Sequence, residues 1–243
     1  MYAIVLAGGK GTRMKSPLPK VLHKICNKPM ISYIISVLRS LKEIEGIVVV
    51  VGYKRELVKR ILPVGVKTAL QKELLGTADA VKAAGKVLKG FKGNALVLCG
   101  DTPLVTAKTI SAIMGKHLGE LNDVTMVTME VKDPKGYGRI IRTGSGKVLG
   151  IVEEKSAAPK QKKIKEVNSG AYIFDWPKLE YALGRIKKNK LKGEYYLTDA
   201  IEIFRKKGYK LGTYKVKDPA EMLGVDDVER LKSAKKILVK RKS

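Results

Sequence analysis

Short apolar runs alternate with amphipathic segments along the first hundred residues. Apolar, largely β-branched runs, typical of buried parallel strands, occupy residues 3–6, 47–51, 66–70 and 94–99. Apolar positions at helical spacing predict helices at residues 30–41, beginning after Pro29, and 54–62, ending before Pro63. This alternation predicts an α/β fold, a Rossmann-like mixed and mainly parallel sheet with helices on both faces.

The second half of the chain continues with both kinds of element. Helices are predicted at residues 106–118 and 175–184, and a final helix is predicted to open at 223–227 and to end in the basic stretch 233–243. Strands are predicted at residues 124–131, 139–142, 147–153, 171–174 and 209–216. The basic stretch 160–165 is predicted to be an exposed loop without a role.

The chain is strongly basic, with 49 Lys and Arg against 23 Asp and Glu and a net charge of +26. Such a charge suits nucleic acid, anionic membranes or phosphorylated substrates. However, the lysines are scattered through every segment and aromatic residues make up only 6%. We therefore interpret the charge as the lysine-rich surface of a heat-adapted protein, and we expect no nucleic-acid or membrane partner. A nucleic-acid-binding protein remains the rival class, which a steep loss of affinity with salt would reveal.

Length and cysteine content limit the number of domains and the kinds of stabilising site that the chain can have. At 243 residues the chain suits one large α/β domain, or at most two small ones. Cys26 and Cys99 form no C-x-x-C pair, which argues against a disulfide framework or a zinc site and favours a cytoplasmic setting. No signal peptide and no apolar run of the ~20 residues that span a bilayer are recognisable.

The first predicted strand leads into a loop rich in glycine and cations, L-A-G-G-K-G-T-R-M-K-S-P-L-P-K-V-L, from Leu6 to Leu22. Glycines give bare backbone N–H groups, and Arg13 and Lys20 add positive charge at the carboxyl end of a strand, so the loop suits a polyphosphate. A solvated glycine turn is the alternative. The spacing excludes the G-x-x-x-x-G-K-[ST] loop and the G-x-G-x-x-G dinucleotide motif.

Three further positions are candidates on their own chemistry. Gln71 offers an amide to a nucleobase edge, although a surface glutamine is the commoner explanation. Thr77 is placed to cap a helix after Gly76. Asp101, just past the strand at 94–99, suits either Mg²⁺ or a turn cap. Cys99 is interpreted as a buried structural thiol because no partner base is evident.

Seven motifs, in order, resemble those of the sugar-nucleotide pyrophosphorylases, a nucleotidyltransferase family. The glycine loop is similar to the family's L-x-x-G-x-G-T-R-M…P-K signature, and the resemblance covers essentially the whole chain. The other motifs are Q…L-G-T-A from Gln71, G-D-x-P-L from Gly100, G-Y-G-R-I from Gly136, I-V-E-x-K from Ile151, E-x-N-[TS]-G from Glu166 and G-E-Y-Y-[LI]-T-D from Gly193. The branch most similar is the uridyltransferase half of the bacterial bifunctional N-acetylglucosamine-1-phosphate uridyltransferase/glucosamine-1-phosphate acetyltransferases.

The resemblance implies a nucleotide-diphospho-sugar transferase fold and three groups of site residues. Residues implied to contact the nucleotide are Leu6, Ala7, Gly8, Gly9, Gly11, Thr12, Gln71, Gly76, Thr77, Cys99 and Gly100. Those implied to contact the sugar are Gly138, Glu153, Asn168, Tyr196 and Thr198. Arg13 and Lys20 are implied to be catalytic, and Asp101 and Asp226 to hold Mg²⁺.

The implied reaction joins UTP and N-acetylglucosamine 1-phosphate to give UDP-N-acetylglucosamine and pyrophosphate. The alternative is the same reaction with another sugar 1-phosphate or nucleotide, such as glucose 1-phosphate with UTP or dTTP. Nucleotide and sugar parts are expected near residues 1–105 and 106–227 of a single domain, 1–243. No hexapeptide repeat of an acetyltransferase domain follows, so a separate acetyltransferase chain is a potential partner. The chain departs from the family at Cys99, at residues 190–192, and at Asp226, where an asparagine is usual.

Overall fold

The computed structural model describes residues 1–189 and 193–241. The strands are β1 Tyr2–Ala7, β2 Lys24–Ile25, β3 Lys28–Pro29, β4 Gly46–Val51, β5 Lys67–Leu70, β6 Asn94–Cys99, β7 Val124–Glu130, β8 Arg139–Arg142, β9 Val148–Val152, β10 Glu166–Asp175 and β11 Leu211–Lys215. The helices are α1 Met30–Arg39, α2 Arg55–Lys59, α3 Thr77–Gly85, α4 Ala107–Gly119, α5 Pro159–Lys162, α6 Trp176–Leu183, α7 Asp199–Lys206 and α8 Val228–Lys240.

One mixed sheet organises the described part of the chain, with the strand order β11-β7-β10-β6-β1-β4-β5. Strand β1 is central and runs parallel to both β4 and β6, and β5 extends the parallel half beside β4. Strand β10 runs antiparallel between β6 and β7, and the hairpin β8–β9 attaches to its beginning. The prediction of a mixed, mainly parallel sheet is confirmed, and its parallel half places the ends of β1 and β6 side by side.

Helices cover both faces of this sheet, as the alternation of elements predicted. Apolar residues of α1 and α4 pack on one face together with Ala3, Val5 and Ala7 of β1. Residues of α3, α6 and α7 pack on the other face, against Ile4 of the same strand. Each fully buried aliphatic side chain contributes about 1.5–3 kcal/mol, so these two layers hold the strand ends in fixed positions.

Some predicted elements differ from the observed ones. Helix α2 ends at Lys59, several residues before Pro63. Strand β10 is much longer than the predicted 171–174, and the stretch 160–165, predicted to be a loop, contributes to α5. The capping residues Thr106 and Asp175 begin α4 and α6 as the pattern indicated. None of the helices among the described residues is long and apolar enough to cross a lipid bilayer.

Candidate active site

The carboxyl ends of β1 and β6 form the floor of the candidate site. Leu6 pairs with Cys99, and the N–H of Gly100 donates to the carbonyl of Leu6 at 2.9 Å. A Cβ on Gly100 would lie 3.0 Å from that carbonyl, so a larger residue would push the two chain segments apart. The glycine loop after β1 and Asp101 after β6 therefore emerge next to each other.

Two aspartates and two cations from distant parts of the chain meet at this edge. The ammonium group of Lys20 donates to Asp101 and, at 2.6 Å, to Oδ1 of Asp226. The guanidinium of Arg13 lies 3.0 Å from Oδ2 of Asp226, and Arg230 approaches the same oxygen to 3.7 Å. All four sequence-predicted charged residues are thus within one cluster, and Arg230 is an addition that sequence reasoning missed.

Lys20, Asp101 and Asp226 at the centre of the cluster are largely buried, and their opposite charges stabilise one another. Burial alone would lower the pKa of Lys20, but the two carboxylates raise it above its ordinary value. Burial would raise the pKa of Asp226, but Lys20, Arg13 and Arg230 hold it below its ordinary value. Lys20 is therefore charged and Asp226 ionised at neutral pH.

Local backbone geometry fixes these side chains. Gly11 has φ of 69° and begins a short 3₁₀ turn, Thr12–Met14, that carries Arg13. A Cβ on Gly11 would lie 2.5 Å from Cβ of Lys20, so the glycine lets the loop close over the lysine stem. The N–H of Val225 donates to the carbonyl of Asp101 at 2.8 Å, which brings the segment with Asp226 onto the end of β6.

The donor set suits a hard divalent cation. Asp101 and Asp226 present carboxylate oxygens to one shared positive charge, the position that a metal ion would compete for. No group of three or more His, Cys, Asp or Glu residues that could hold a metal occurs among the described residues. Two carboxylates fit Mg²⁺, because that ion keeps several waters and takes its other ligands from substrate phosphates.

A cavity of about 270 Å³ opens beside the charge cluster. The predicted residues that line it are Leu6, Ala7, Gly8, Gly9, Lys20, Gln71, Gly76, Thr77, Cys99, Asp101 and Tyr196. Its lining also includes residues that sequence reasoning missed, namely Val21, Leu74, Ala80 and Glu194. Three predicted nucleotide residues are not part of this lining, namely Gly11, Thr12 and Gly100. Gly11 and Gly100 instead allow neighbouring segments to approach closely, and Thr12 is exposed.

The turn into α3 closes one side of this cavity. Gly76 has φ of 102° and is the N-cap of the helix, and a Cβ there would lie 2.5 Å from the carbonyl of Tyr195. The prediction that Thr77 caps α3 is wrong, because Thr77 is the first helical residue. Its hydroxyl instead accepts from the N–H of Leu197 at 3.0 Å and thereby joins the turn to the segment after residue 193.

Cys99 lies at the floor of the cavity without reactive character. Desolvation, together with the charge of Asp101, raises the pKa of Cys99 to about 12. The thiol is therefore neutral at physiological pH, as expected of a structural cysteine rather than of a nucleophile.

A second cavity, of about 230 Å³, shares Tyr196 with the first. Glu153 lines it, and the hydroxyl of Thr198 donates to Oε1 of Glu153 at 2.9 Å. Three of the five predicted sugar residues therefore lie together. The lining residues to which the sequence assigned no role are Gly136, Glu154, Lys155, Ser156 and Asn189, of which the first three lie within the G-Y-G-R-I and I-V-E-x-K motifs.

Gly138 and Asn168 are not part of the lining of this second cavity. An ideal Cβ on Gly138 would lie 3.5 Å from Oε2 of Glu153, and the N–H of Asn168 donates to the carbonyl of Gly138 at 2.8 Å. A register shift in β10 follows Asn168, whose side chain donates to the hydroxyl of Tyr172 at 2.6 Å. Residues 190–192, where the chain departs from the family, lie outside the described residues.

The sequence of this chain is similar to those of known proteins. A family model described as nucleotidyl transferase matches residues 2–220. Proteins named bifunctional protein GlmU are similar over 99% of the chain, with 46% identity for Pelotomaculum thermopropionicum and 44% for Streptococcus gordonii. The chain spans about half, 52%, of the length of these relatives.

A solved structure supports the fold. A Bacillus anthracis protein named as a glucose-1-phosphate thymidylyltransferase superposes with a TM-score of 0.77, covering 98% of this chain and 94% of that one. The two sequences are 21% identical, so the similarity concerns the fold.

Proposed function

Because this chain belongs to the nucleotidyl transferase family, we propose that it transfers a uridylyl group from UTP to N-acetylglucosamine 1-phosphate. The products are UDP-N-acetylglucosamine and pyrophosphate. The observation that carries the proposal is the convergence of Arg13, Lys20, Asp101 and Asp226 beside the 270 Å³ cavity. The similarity to proteins named bifunctional protein GlmU supports this choice of nucleotide and sugar.

The reaction needs alignment of two anions more than it needs proton transfer. A phosphate oxygen of the sugar phosphate forms a bond to the α-phosphorus of UTP, and the α–β bridging bond breaks with its electron pair going to pyrophosphate. A phosphate monoester has a second pKa of about 6, so the nucleophile is already largely a dianion at neutral pH. His117 is buried and hydrogen-bonds to Thr125 at 2.9 Å, which assigns it to the core.

The chain's own cations carry the charge stabilisation. Lys20 and Arg13 lie at the end of β1, where backbone N–H groups of the glycine loop accompany them, and they would exchange their aspartate partners for phosphate oxygens as UTP enters. Fixed donors aimed at developing charge are each worth about 10²–10³-fold in rate. Holding the two substrates in line adds up to ~7–11 kcal/mol.

Asp101 and Asp226 would hold Mg²⁺ in this proposal. When bound, the ion supplies Lewis-acid stabilisation of the phosphate oxygens. Without it, Lys20 donates hydrogen bonds to both carboxylates, so each aspartate has a cationic partner in both states.

The two cavities support separate binding sites for the two substrates. The larger one, with Gln71, Gly76 and Thr77, would take the nucleotide, and the smaller one, with Glu153 and Tyr196, would take the sugar. The parts at residues 1–105 and 106–227 remain a prediction.

A screen of pyrophosphate release tests the proposal. Four nucleoside triphosphates are combined with N-acetylglucosamine 1-phosphate, glucose 1-phosphate and other sugar 1-phosphates, with and without Mg²⁺. We expect the highest kcat/KM with UTP and N-acetylglucosamine 1-phosphate. Faster turnover of dTTP or glucose 1-phosphate would instead favour the alternative pairing, and no release with any pair would reject the proposal.

A further inference from the structure

The side-chain amide of Gln71 is held in one orientation by two acceptors. Its nitrogen donates to the carbonyl of Gly76 at 3.0 Å and to Oδ2 of Asp79 at 2.9 Å. Gln71 is 6% exposed, so these hydrogen bonds form largely away from solvent. Both N–H groups of the amide are thereby used within the protein.

The identity of the two amide ends follows from this network. A carbonyl oxygen and a carboxylate cannot donate, so the end of the amide that faces them must be the nitrogen. The opposite end is therefore Oε1, and within residues 1–189 and 193–241 no group donates a hydrogen bond to it. An ideal Cβ on Gly8 would lie 2.8 Å from Oε1, and both residues line the 270 Å³ cavity.

We propose that Asp79 is a positioning residue that locks Gln71 as a hydrogen-bond acceptor toward the nucleobase. The inference rests on the proposed function and extends it to base selection. Uracil and thymine carry an imide N3–H that can donate to Oε1. Cytosine presents an unprotonated N3 in the same place, so two acceptors would face each other and Oε1 would stay unsatisfied.

The carboxylate of Asp79 determines which end of the Gln71 amide faces the cavity. A carboxylate accepts only, whereas an asparagine in its place could turn its own amide and donate to a reversed Gln71. The reversed Gln71 would present N–H groups to the cavity and accommodate cytosine. Gly76 supplies a second acceptor through its backbone, so removal of Asp79 weakens the lock without abolishing it.

A structural role for Asp79 is the competing explanation. Asp79 lies in the first turn of α3, where a negative charge also stabilises the helix. A helix-stabilising role would affect all nucleotides alike. Only the positioning role changes the ratio between UTP and CTP, so that ratio is the discriminating measurement.

The test uses the full chain with Asp79→Asn and Asp79→Ala, and with Glu56→Gln, an exposed first-turn carboxylate of α2, as the control. For each protein, kcat/KM is measured for UTP, CTP and dTTP with N-acetylglucosamine 1-phosphate. Loss of a hydrogen bond to a charged group predicts that the UTP:CTP ratio falls about tenfold or more in both Asp79 variants. The UTP:dTTP ratio stays unchanged because thymine has the same imide, and Glu56→Gln keeps both wild-type ratios.

Equal losses for UTP and CTP in both Asp79 variants would overturn the inference. Calorimetric binding of UTP and CTP in MgCl₂, without a sugar phosphate, repeats the comparison independently of turnover. If the binding ratio shifts as predicted but wild-type protein releases no pyrophosphate with any sugar 1-phosphate, the positioning role stands and the proposed function fails. If wild-type turnover is normal and neither ratio shifts, the positioning role fails alone.

Discussion

Lys20 Nζ lies 2.6 Å from Oδ1 of Asp226, although 206 residues separate them in the chain. The same ammonium group is hydrogen-bonded to Asp101, so one lysine joins the two carboxylates proposed to hold the metal. A carboxylate pair of this kind would be strongly destabilising without a cation between its members. The lysine therefore stabilises the site and would give way to the proposed metal ion and phosphates.

Removal of either aspartate should abolish metal-dependent turnover. We expect Asp101→Asn and Asp226→Ala each to lower kcat by about 10³-fold, because the Lewis-acid contribution of a bound ion is worth several kcal/mol. Both variants should stay folded, since Lys20 keeps one carboxylate partner. The control is Asp227→Asn, which removes the adjacent charge but preserves the side-chain cap of α8 at Arg230 N. Wild-type rates in Asp101→Asn or Asp226→Ala would remove that residue from the metal site.

Arg13 should act on the transition state rather than on binding. Its side chain is 69% exposed and reaches Asp226 at 3.0 Å, so it is free to follow the phosphates as charge redistributes. We expect Arg13→Ala to lower kcat by about 10²–10³-fold, and Arg60→Ala, an exposed arginine after α2, to leave kcat unchanged. A higher KM with unchanged kcat would show that Arg13 contributes uniform binding instead.

The Thr198–Glu153 hydrogen bond should set sugar preference. We expect wild-type protein to prefer N-acetylglucosamine 1-phosphate over glucose 1-phosphate by at least ~10²-fold in kcat/KM. Thr198→Val keeps the shape but removes the hydroxyl that donates to Glu153, so this preference should fall about tenfold. The control is Thr68→Val in β5. Comparable kcat/KM for both sugars in wild-type protein would show that the pocket does not read the acetamido group.

Gly76 and Gly115 should respond oppositely to alanine. At Gly76 a Cβ meets the carbonyl of Tyr195 at 2.5 Å with φ of 102°, so Gly76→Ala should lower the free energy of unfolding by about 2 kcal/mol or more. At Gly115, inside α4, a Cβ meets nothing within 4 Å, so Gly115→Ala should raise it by about 0.5–1 kcal/mol. Denaturant unfolding measures both, and a stable Gly76→Ala would contradict the described turn.

The pair Glu166–Arg142 should make stability depend on pH. The hydrogen bonds from Arg142, at 2.6 and 2.8 Å, hold the pKa of Glu166 below its ordinary value of 4.5. Because the folded pKa is lowered, this stabilisation is present above about pH 4.5 and is lost as the pH falls through the folded pKa. Glu166→Gln should therefore cost about 1.5–3 kcal/mol at pH 7 and progressively less toward pH 3.

Denaturant unfolding at both pH values measures this difference. Glu130→Gln is the matched control, because the ion pair of Glu130 with Lys215 is mostly exposed and should contribute less than about 1 kcal/mol. A cost for Glu166→Gln that is independent of pH would assign the effect to packing rather than to ionisation.

Local sequence determined most elements of this protein. Strands β1, β4 and β6 follow from continuous apolar runs, and the glycine loop, Gln71 and Asp101 follow from their places at strand ends. Helix α7 was missed although Ala200, Ile201 and Phe204 carry its buried stripe at helical spacing. The apolar spacing of these residues would have been enough to predict this helix from the sequence.

Other features were decided by the tertiary structure, because they depend on contacts between distant segments. The antiparallel insertion of β10 between β6 and β7 depends on pairing between segments that lie far apart in the chain, such as Glu166 with Glu130 and Tyr172 with Val97. Thr77 was expected to cap its own helix, but a packed neighbour, Leu197, offers its N–H instead. The hydrogen bonds from Lys20 to Asp101 and Asp226, and from Gln71 to Asp79, likewise depend on how the chain folds. Hydrophobic periodicity specifies which residues are buried, but it carries no information about which polar groups then meet.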